Sequence, residues 1–304
     1  MKTIERFLAH LALERGFSTN TVAAYRNDLY QLMSFLNGHG GNPRGATRWS
    51  EVSSPLLQDY VASLGARRYA PATRARKIAA IKSFFGFLTA EGLVARDTSK
   101  TLGSPRVGKA LPHFLSQEEM NRLLAQAAKR SGPDGRRDQA MLELLYASGL
   151  RVTELVSLNL GDVVCEGANA HVRCLGKGGK ERLVPIHSTA ASAVRSYWQE
   201  ARPALLRGNQ KERALFLNRR GERLTRQGLW LILKTHAREA SIQGPITPHT
   251  MRHSFATHLL HNGASLRELQ ELLGHANIAT TEVYTHLTDD HIRKEYEKAH
   301  PRAR

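Results

Sequence analysis

The chain has 304 residues, room for two domains of ordinary size, and its 41% hydrophobic and 23% charged residues exclude a disordered or fibrous protein. It carries 44 Lys and Arg against 27 Asp and Glu, a formal charge of +17, which favours a polyanionic partner. No apolar run reaches the ~18 residues of a membrane span, the first residues open into an amphipathic pattern rather than a signal peptide, and Cys165 and Cys174 alone, without metal-ligand spacing, exclude a disulfide framework or a zinc site. A reduced, cytoplasmic protein that meets nucleic acid is expected.

Both halves share the positive charge, with 14 basic against 7 acidic residues before residue 104 and 30 against 20 after it. In chain order, Ile4, Phe7, Leu8 and Leu11 fall at i, i+3, i+4 and i+7, and Gly16 is placed to stop that helix. Ser18 or Thr19 caps a second helix with the stripe Val22, Tyr25, Leu29, Leu32 and Leu36. Residues 38–45 read as a Gly/Pro/Asn loop, and a third helix starts at Ser54-Pro55 and carries Leu57, Tyr60, Val61 and Leu64.

The fourth helix begins near Pro71. Ile78, Ile81, Phe85 and Leu88 form its core stripe, which leaves Arg74, Lys77 and Lys82 on other faces, as DNA contacts or as a plain solvated cationic surface. Four helices closing on one core make a small α domain over residues 1–102. Residues 103–112, with prolines near both ends and no periodicity, read as a linker.

A second domain, residues 113–304, opens with the capping-box pattern Ser116-Gln117-Glu118-Glu119. Residues 140–160 read as two short helices broken at Ser148-Gly149. Residues 171–175 and 182–186 are β-like runs joined by Gly176-Lys177-Gly178-Gly179-Lys180, a hairpin signal, and Phe216-Leu217 is the expected third strand. From Thr225 onward the pattern is helical, ending in residues 289–298 with acids first and bases last, as a helix dipole prefers. The fold class is therefore mainly α, in two domains, with a small three-stranded sheet in the second.

The chemistry-bearing residues cluster in the second domain. A phenol of unperturbed pKa near ~10, such as that of Tyr284, is a nucleophile only where nearby groups stabilise its anion or accept its proton. Arg151 and Arg252 offer the planar, always-charged fork that suits phosphate oxygens, though for each taken alone a structural ion pair is the better reading. Glu154, one turn after Arg151, can orient it or form a surface i, i+3 pair. Lys177, between glycines, can reach a neighbouring site as an acid or solubilise a turn.

The Gly-Lys-Gly-Gly-Lys string lacks the Ser/Thr of a phosphate-binding P-loop and opens no helix. His249 and Arg252, at a helix start after Pro248, can face one target. The following His253, His258 and His261 include no carboxylate between residues 247 and 265 to complete a metal site, so no metal is expected.

Five separated blocks carry a resemblance: Ser148-Gly149-Leu150-Arg151-Val152-Thr153-Glu154-Leu155, Gly176-Lys177-Gly178-Gly179-Lys180-Glu181-Arg182, Pro248-His249-Thr250-Met251-Arg252-His253, Leu272-Leu273-Gly274-His275 and Tyr284-Thr285-His286. In this order and spacing the chain resembles the tyrosine recombinase (phage integrase) family over essentially its whole length. It is most similar to the bacterial Xer site-specific recombinases, and its blocks 253–258, 270–276 and 299–303 look closer to XerC than to XerD.

The resemblance implies an N-terminal SAM-like core-binding domain and a C-terminal catalytic domain that clamp duplex DNA. It implies that Tyr284 attacks the scissile phosphate to form a 3′-phosphotyrosine, that Arg151 and Arg252 hold the non-bridging oxygens with a hydrogen bond from His275, that Lys177 protonates the leaving 5′-oxygen, and that His249 assists proton transfer at the tyrosine. Neither cofactor, ATP nor metal is implied. The implied partners are a dif-like DNA site, three further protomers of one or two recombinases exchanging strands through a Holliday junction, and the FtsK translocase, with the 289–298 helix docking on a neighbouring protomer. The alternatives are a mobile-element integrase, a type IB topoisomerase-like nicking and closing activity, and a catalytically silent DNA-binding protein.

Overall fold

Apolar residues every three or four positions cannot be satisfied by an isolated helix, so each striped segment must close on others. A computed structural model of the chain, which describes all residues except 16, 40–47, 106–112, 168, 176–180, 275–288 and 304 and the side chains of 39 and 289–291, shows two units that do this, Met1–Ala110 and Leu111–Arg304.

The first unit packs α1 (Lys2–Leu13), α2 (Thr19–Ser34), α3 (Ser54–Ala66) and α4 (Pro71–Ala90) around one core. Ile4, Leu29, Leu32, Leu57, Leu64, Ile78, Ile81, Phe85 and Leu88 are all fully enclosed. Ser18 caps α2 by accepting the Thr21 N–H at 3.2 Å. The helix α3 starts at Ser54-Pro55 as expected, and its cap is Ser53, whose hydroxyl accepts the Leu56 N–H at 3.4 Å. Ser54 instead donates to the Thr98 carbonyl at 2.7 Å.

The structure removes Lys77 from the cationic face expected of α4. It is only 5% exposed, and its Nζ donates to Asp28 Oδ1 at 2.8 Å and to Gln31 on α2. Asp28 is itself buried and is also paired with Arg76, and these bonds fix the register of α2 on α4. Lys77 is thus a core ion pair rather than a DNA contact. Arg74 and Lys82 remain half-buried on the same helix.

In the second unit, α5 (Gln117–Ala128) carries the expected capping box, with Ser116 and Glu119 bonding each other's backbone N–H. The long α6 (Gly132–Ser148) is the axle of the unit, because Met141, Leu142, Leu144, Leu145 and Tyr146 are buried on every side of it. It starts well before the expected residue 140. The charged first turns hid this, since Arg137 and Asp138 are buried as a mutual pair, 2.7 Å apart, with Arg137 also donating to the Leu217 carbonyl.

A short α7 (Val152–Ser157) follows, then an antiparallel sheet of β1 (Val163–Val164), β2 (His171–Leu175) and β3 (Glu181–Pro185) in that order. Cys174 pairs with Arg182 and Val172 with Val184, and these four side chains share the inner face. The third strand is Val163–Val164 rather than Phe216-Leu217. Leu217 makes only an isolated bridge to Arg223, and a two-residue strand has no periodicity to read. The remainder is α8 (Ser188–Ser196), α9 (Arg202–Leu206), α10 (Arg226–Glu239), α11 (Pro248–His261), α12 (Leu266–Leu273) and α13 (Asp289–Ala299). No helix among the described residues is long and apolar enough to cross a membrane.

The α13 segment, expected from the resemblance to dock on a neighbouring protomer, packs in the single chain on its own unit. Tyr296 and His300 are buried, Tyr296 donates to the Ala147 carbonyl at 2.9 Å, and Asn262 donates to the Ala299 carbonyl at 2.7 Å. His300 lies 4.9 Å from the ring of His187, and both rings use Nδ1 as an acceptor, from the Arg302 and Ala190 N–H groups respectively. Burial, then the neighbouring charges, holds His187 down to about 4 and His300 to about 3.

Each ring must therefore stay neutral in the packed state, while in the unfolded chain it gains a proton below about 6.5. Its contribution to stability is complete above that value and is lost as pH falls from about 6.5 toward 4. Thermal unfolding should show a loss of roughly 1 kcal/mol per ring on going from pH 7.5 to 5.5, and His300→Phe should flatten that slope. An unchanged slope in the variant would remove the ring from the account.

Candidate active site

Two left-handed joints build the site. Gly149 ends α6 at φ +57°, and a methyl group there would sit 2.3 Å from the Phe255 ring of α11, so only glycine fits. Gly274 ends α12 at φ +62°, where a methyl group would press against the Arg182 guanidinium at 3.0 Å. The first joint swings the chain so that Arg151 becomes the residue just before α7, and the second turns the last carbonyls of α12 toward it.

Glu154 holds the centre. Its carboxylate accepts the Arg151 backbone N–H at 2.7 Å and Arg151 Nη1 at 3.0 Å. It also accepts Arg182 Nη1 and Nη2, at 3.1 and 3.0 Å on its two oxygens, and lies 4.0 Å from Arg252 Nη1. The carbonyls at the end of α12 complete the shell. Leu272 accepts from Arg182 Nε at 3.1 Å, Leu273 from Arg252 Nη2 at 2.8 Å, and Gly274 from Arg151 Nη2 at 3.4 Å. The Gly149 carbonyl accepts Arg252 Nη1 at 2.6 Å, so the first glycine also anchors the second arginine.

Three guanidiniums thus share one carboxylate and a helix carboxyl terminus, whose partial negative charge favours cations. Burial alone would raise the Glu154 carboxyl, but the hydrogen bonds from Arg182 and the Arg151 N–H, and their charges, hold it below its usual value. Arg252 feels the opposite balance. Burial first, then the charge of Arg151, brings it from 12.5 to about 10, still cationic at neutral pH. The cluster keeps an excess of positive charge with arginine forks already oriented, which is the arrangement that stabilises charge on phosphate oxygens without reorganising at the moment of reaction.

Of the residues expected from sequence, Arg151, Glu154 and Arg252 come together here. His249 is exposed on the first turn of α11, three residues before Arg252. Lys177, His275 and Tyr284 lie outside the described residues; in sequence, Lys177 stands five residues before Arg182 and His275 follows Gly274 directly. Of the other histidines, His258 is buried with Nδ1 toward the Tyr146 hydroxyl and Nε2 toward the Leu115 carbonyl, both at 2.8 Å, so both of its nitrogens serve packing. Sequence reasoning missed Arg182. Its signal was strand alternation, which puts a charge on the same inner face as Val184.

The model of the phage integrase family matches residues 113–291, and that of the phage integrase N-terminal SAM-like domain matches residues 4–92. The chain belongs to the phage integrase family. Its reaction is that of a tyrosine recombinase, site-specific DNA recombination.

Among relatives of this recombinase, tyrosine recombinase XerC of Roseiflexus castenholzii is 47% identical over 99% of this chain and 93% of its own length. Tyrosine recombinase XerD of Oceanobacillus iheyensis is 45% identical over 99% and 98%. The two names thus occur at nearly equal identity. The XerH site-specific recombinase in its post-cleavage complex with a palindromic difH substrate shares the fold, with a TM-score of 0.69 at 20% identity over 98% of this chain and 92% of that one.

The Gly149 joint gives the recombinase a testable weak point. Gly149→Ala combines left-handed strain with overpacking against Phe255, and should cost about 3 kcal/mol of stability in denaturant unfolding. A loss below about 1 kcal/mol would show that α11 can retreat from the joint.

Proposed function

We propose that this recombinase cuts and rejoins a dif-like DNA site, with the phenolic oxygen of Tyr284 attacking the scissile phosphorus. The bond from that oxygen to phosphorus forms as the bond from phosphorus to the 5′-oxygen breaks. The phenolic proton passes toward His249, and the leaving 5′-oxygen takes a proton from Lys177. Arg151 and Arg252, with His275, hold the non-bridging oxygens, and Glu154 orients Arg151. A 5′-hydroxyl from the partner strand then attacks the 3′-phosphotyrosine and reverses the chemistry on a new strand, so the bond energy is conserved and neither ATP nor metal is consumed.

The observation that carries this reading is the convergence of Arg151 and Arg252 at the carboxyl end of α12, where the chain runs directly into His275. The formal charge of +17 supports duplex DNA as the partner, and Arg74 and Lys82 on α4 are the proposed phosphate contacts of the first unit. Residues 1–102 are the core-binding domain, 103–112 the linker and 113–304 the catalytic domain in this reading. Four protomers, of one or two recombinase kinds, exchange strands through a Holliday junction, with α13 leaving its own unit to dock on a neighbour. Resolution of chromosome or plasmid dimers in the cytoplasm, under the FtsK translocase, is the cellular role that fits.

A suicide substrate nicked beside the scissile phosphate should trap a covalent adduct with the wild-type protein and none with Tyr284→Phe, read on a denaturing gel. DNA binding by both without an adduct from either would mark a silent binding protein, and plasmid relaxation without recombinant product would mark a topoisomerase. Lys177→Ala should slow cleavage by more than about 100-fold while leaving DNA affinity within a few-fold. A 5′-phosphorothiolate substrate, whose leaving sulfur needs no proton, should restore its rate; failure to rescue would take the acid role from Lys177.

A further inference from the structure

We infer that Arg182 is a positioning residue of the recombination reaction, one that neutralises Glu154 and so leaves the charge of Arg151 available to the scissile phosphate. The inference deepens the catalytic roles proposed above and rests on them.

Arg182 stands on the inner face of β3, opposite Cys174, with its side chain 13% exposed. A guanidinium in that place is tolerated only when its donors are met. Each of its three nitrogens donates, Nε to the Leu272 carbonyl and the two Nη atoms to the two oxygens of Glu154. Arg182 therefore presents its fork to protein rather than to solvent, whereas Arg151, 36% exposed, keeps a path outward.

The consequence is electrostatic. Glu154 is 7% exposed and sits one helical turn from Arg151. Were Arg151 its only close partner, the buried carboxylate would hold that guanidinium and compete with phosphate for it. The bidentate fork of Arg182 satisfies the carboxylate independently, so Glu154 can align Arg151 through its backbone N–H and Nη1 without cancelling its charge. The same side chain ties β3 to the end of α12, joining the segment downstream of Lys177 to the one that leads into His275. The bare Cα of Gly274 is what lets it pass. Lysine cannot reproduce this, because one ammonium cannot span both carboxylate oxygens and a carbonyl in a planar fork.

The test is single-turnover cleavage of the nicked suicide substrate by the full chain, with DNA affinity and thermal unfolding measured in parallel. Arg182→Ala should keep DNA affinity within about twofold and cleave roughly 10- to 100-fold more slowly, the scale for one misplaced cationic donor. Arg182→Lys should recover little of that loss.

Two combinations separate positioning from mere structural support. Adding Glu154→Gln to Arg182→Ala should restore part of the rate, since the carboxylate that captures Arg151 is gone. Adding Arg182→Ala to Arg151→Ala should cost far less than it does in the wild type. Full additivity, no suppression by Glu154→Gln, or cleavage at the wild-type rate would each overturn the inference; if Arg182→Ala fails to fold, Arg182→Lys carries the same comparisons. Wild type that binds the DNA but forms no adduct would sink the catalytic reading itself, an outcome distinct from all of these.

Discussion

The second unit is organised around a buried carboxylate among three arginines. Like charges at these distances repel in a low-dielectric interior, and the lowered pKa of Arg252 reflects burial first and that repulsion second. Glu154 and the final carbonyls of α12 hold the three together. Those carbonyls would be without helical partners in any case, so the end of α12 supplies acceptors that solvent would otherwise fill. Remove either contribution and the guanidiniums have no reason to share one small volume.

Such a site demands a stiff frame. Arg252 is anchored by the carbonyl of Gly149, and Gly149 is pressed against Phe255, one turn further along the helix that carries Arg252. One glycine therefore fixes the end of α6, the start of the Arg151 segment and the packing of α11. Because the carboxyl-terminal half of α6 is enclosed on every side, a shift at the joint would have to move the core packed around it. Electrostatic preorganisation is here a property of the packing as much as of the charges.

The helical frame was legible because its physics is local. Stripes such as Ile78, Ile81, Phe85 and Leu88 announce burial by spacing alone, and the Ser116–Glu119 box announces a helix start. What escaped was set by distant partners. Lys77 has the same neighbours in sequence as a surface lysine, and only Asp28 and Gln31, on another helix, make it a core residue. The first turns of α6 read as solvent-facing because Arg137 and Asp138 bury each other. Within the site, the resemblance singled out Arg151, Glu154 and Arg252, and the structure brings these three together. Arg182 needs the register of two strands and the end of a helix far along the chain before its place in the cluster can be seen.

The buried carboxylates of the chain differ in a way that separates support from chemistry. Asp28 has one enclosed cation, Lys77, and Asp138 has two enclosed partners, Arg137 and the His236 ring; their further arginine partners, Arg76 and Arg130, are 42% and 43% exposed, where charge is partly screened. Each carboxylate there is held by an enclosed cation, and such a buried pair can fix the register of the helices it joins. Glu154 instead has two enclosed arginines, Arg182 and Arg252, and a third, Arg151, reaching outward. In the reading proposed above, the outward-reaching fork of Arg151 is the part of this cluster left to meet a phosphate.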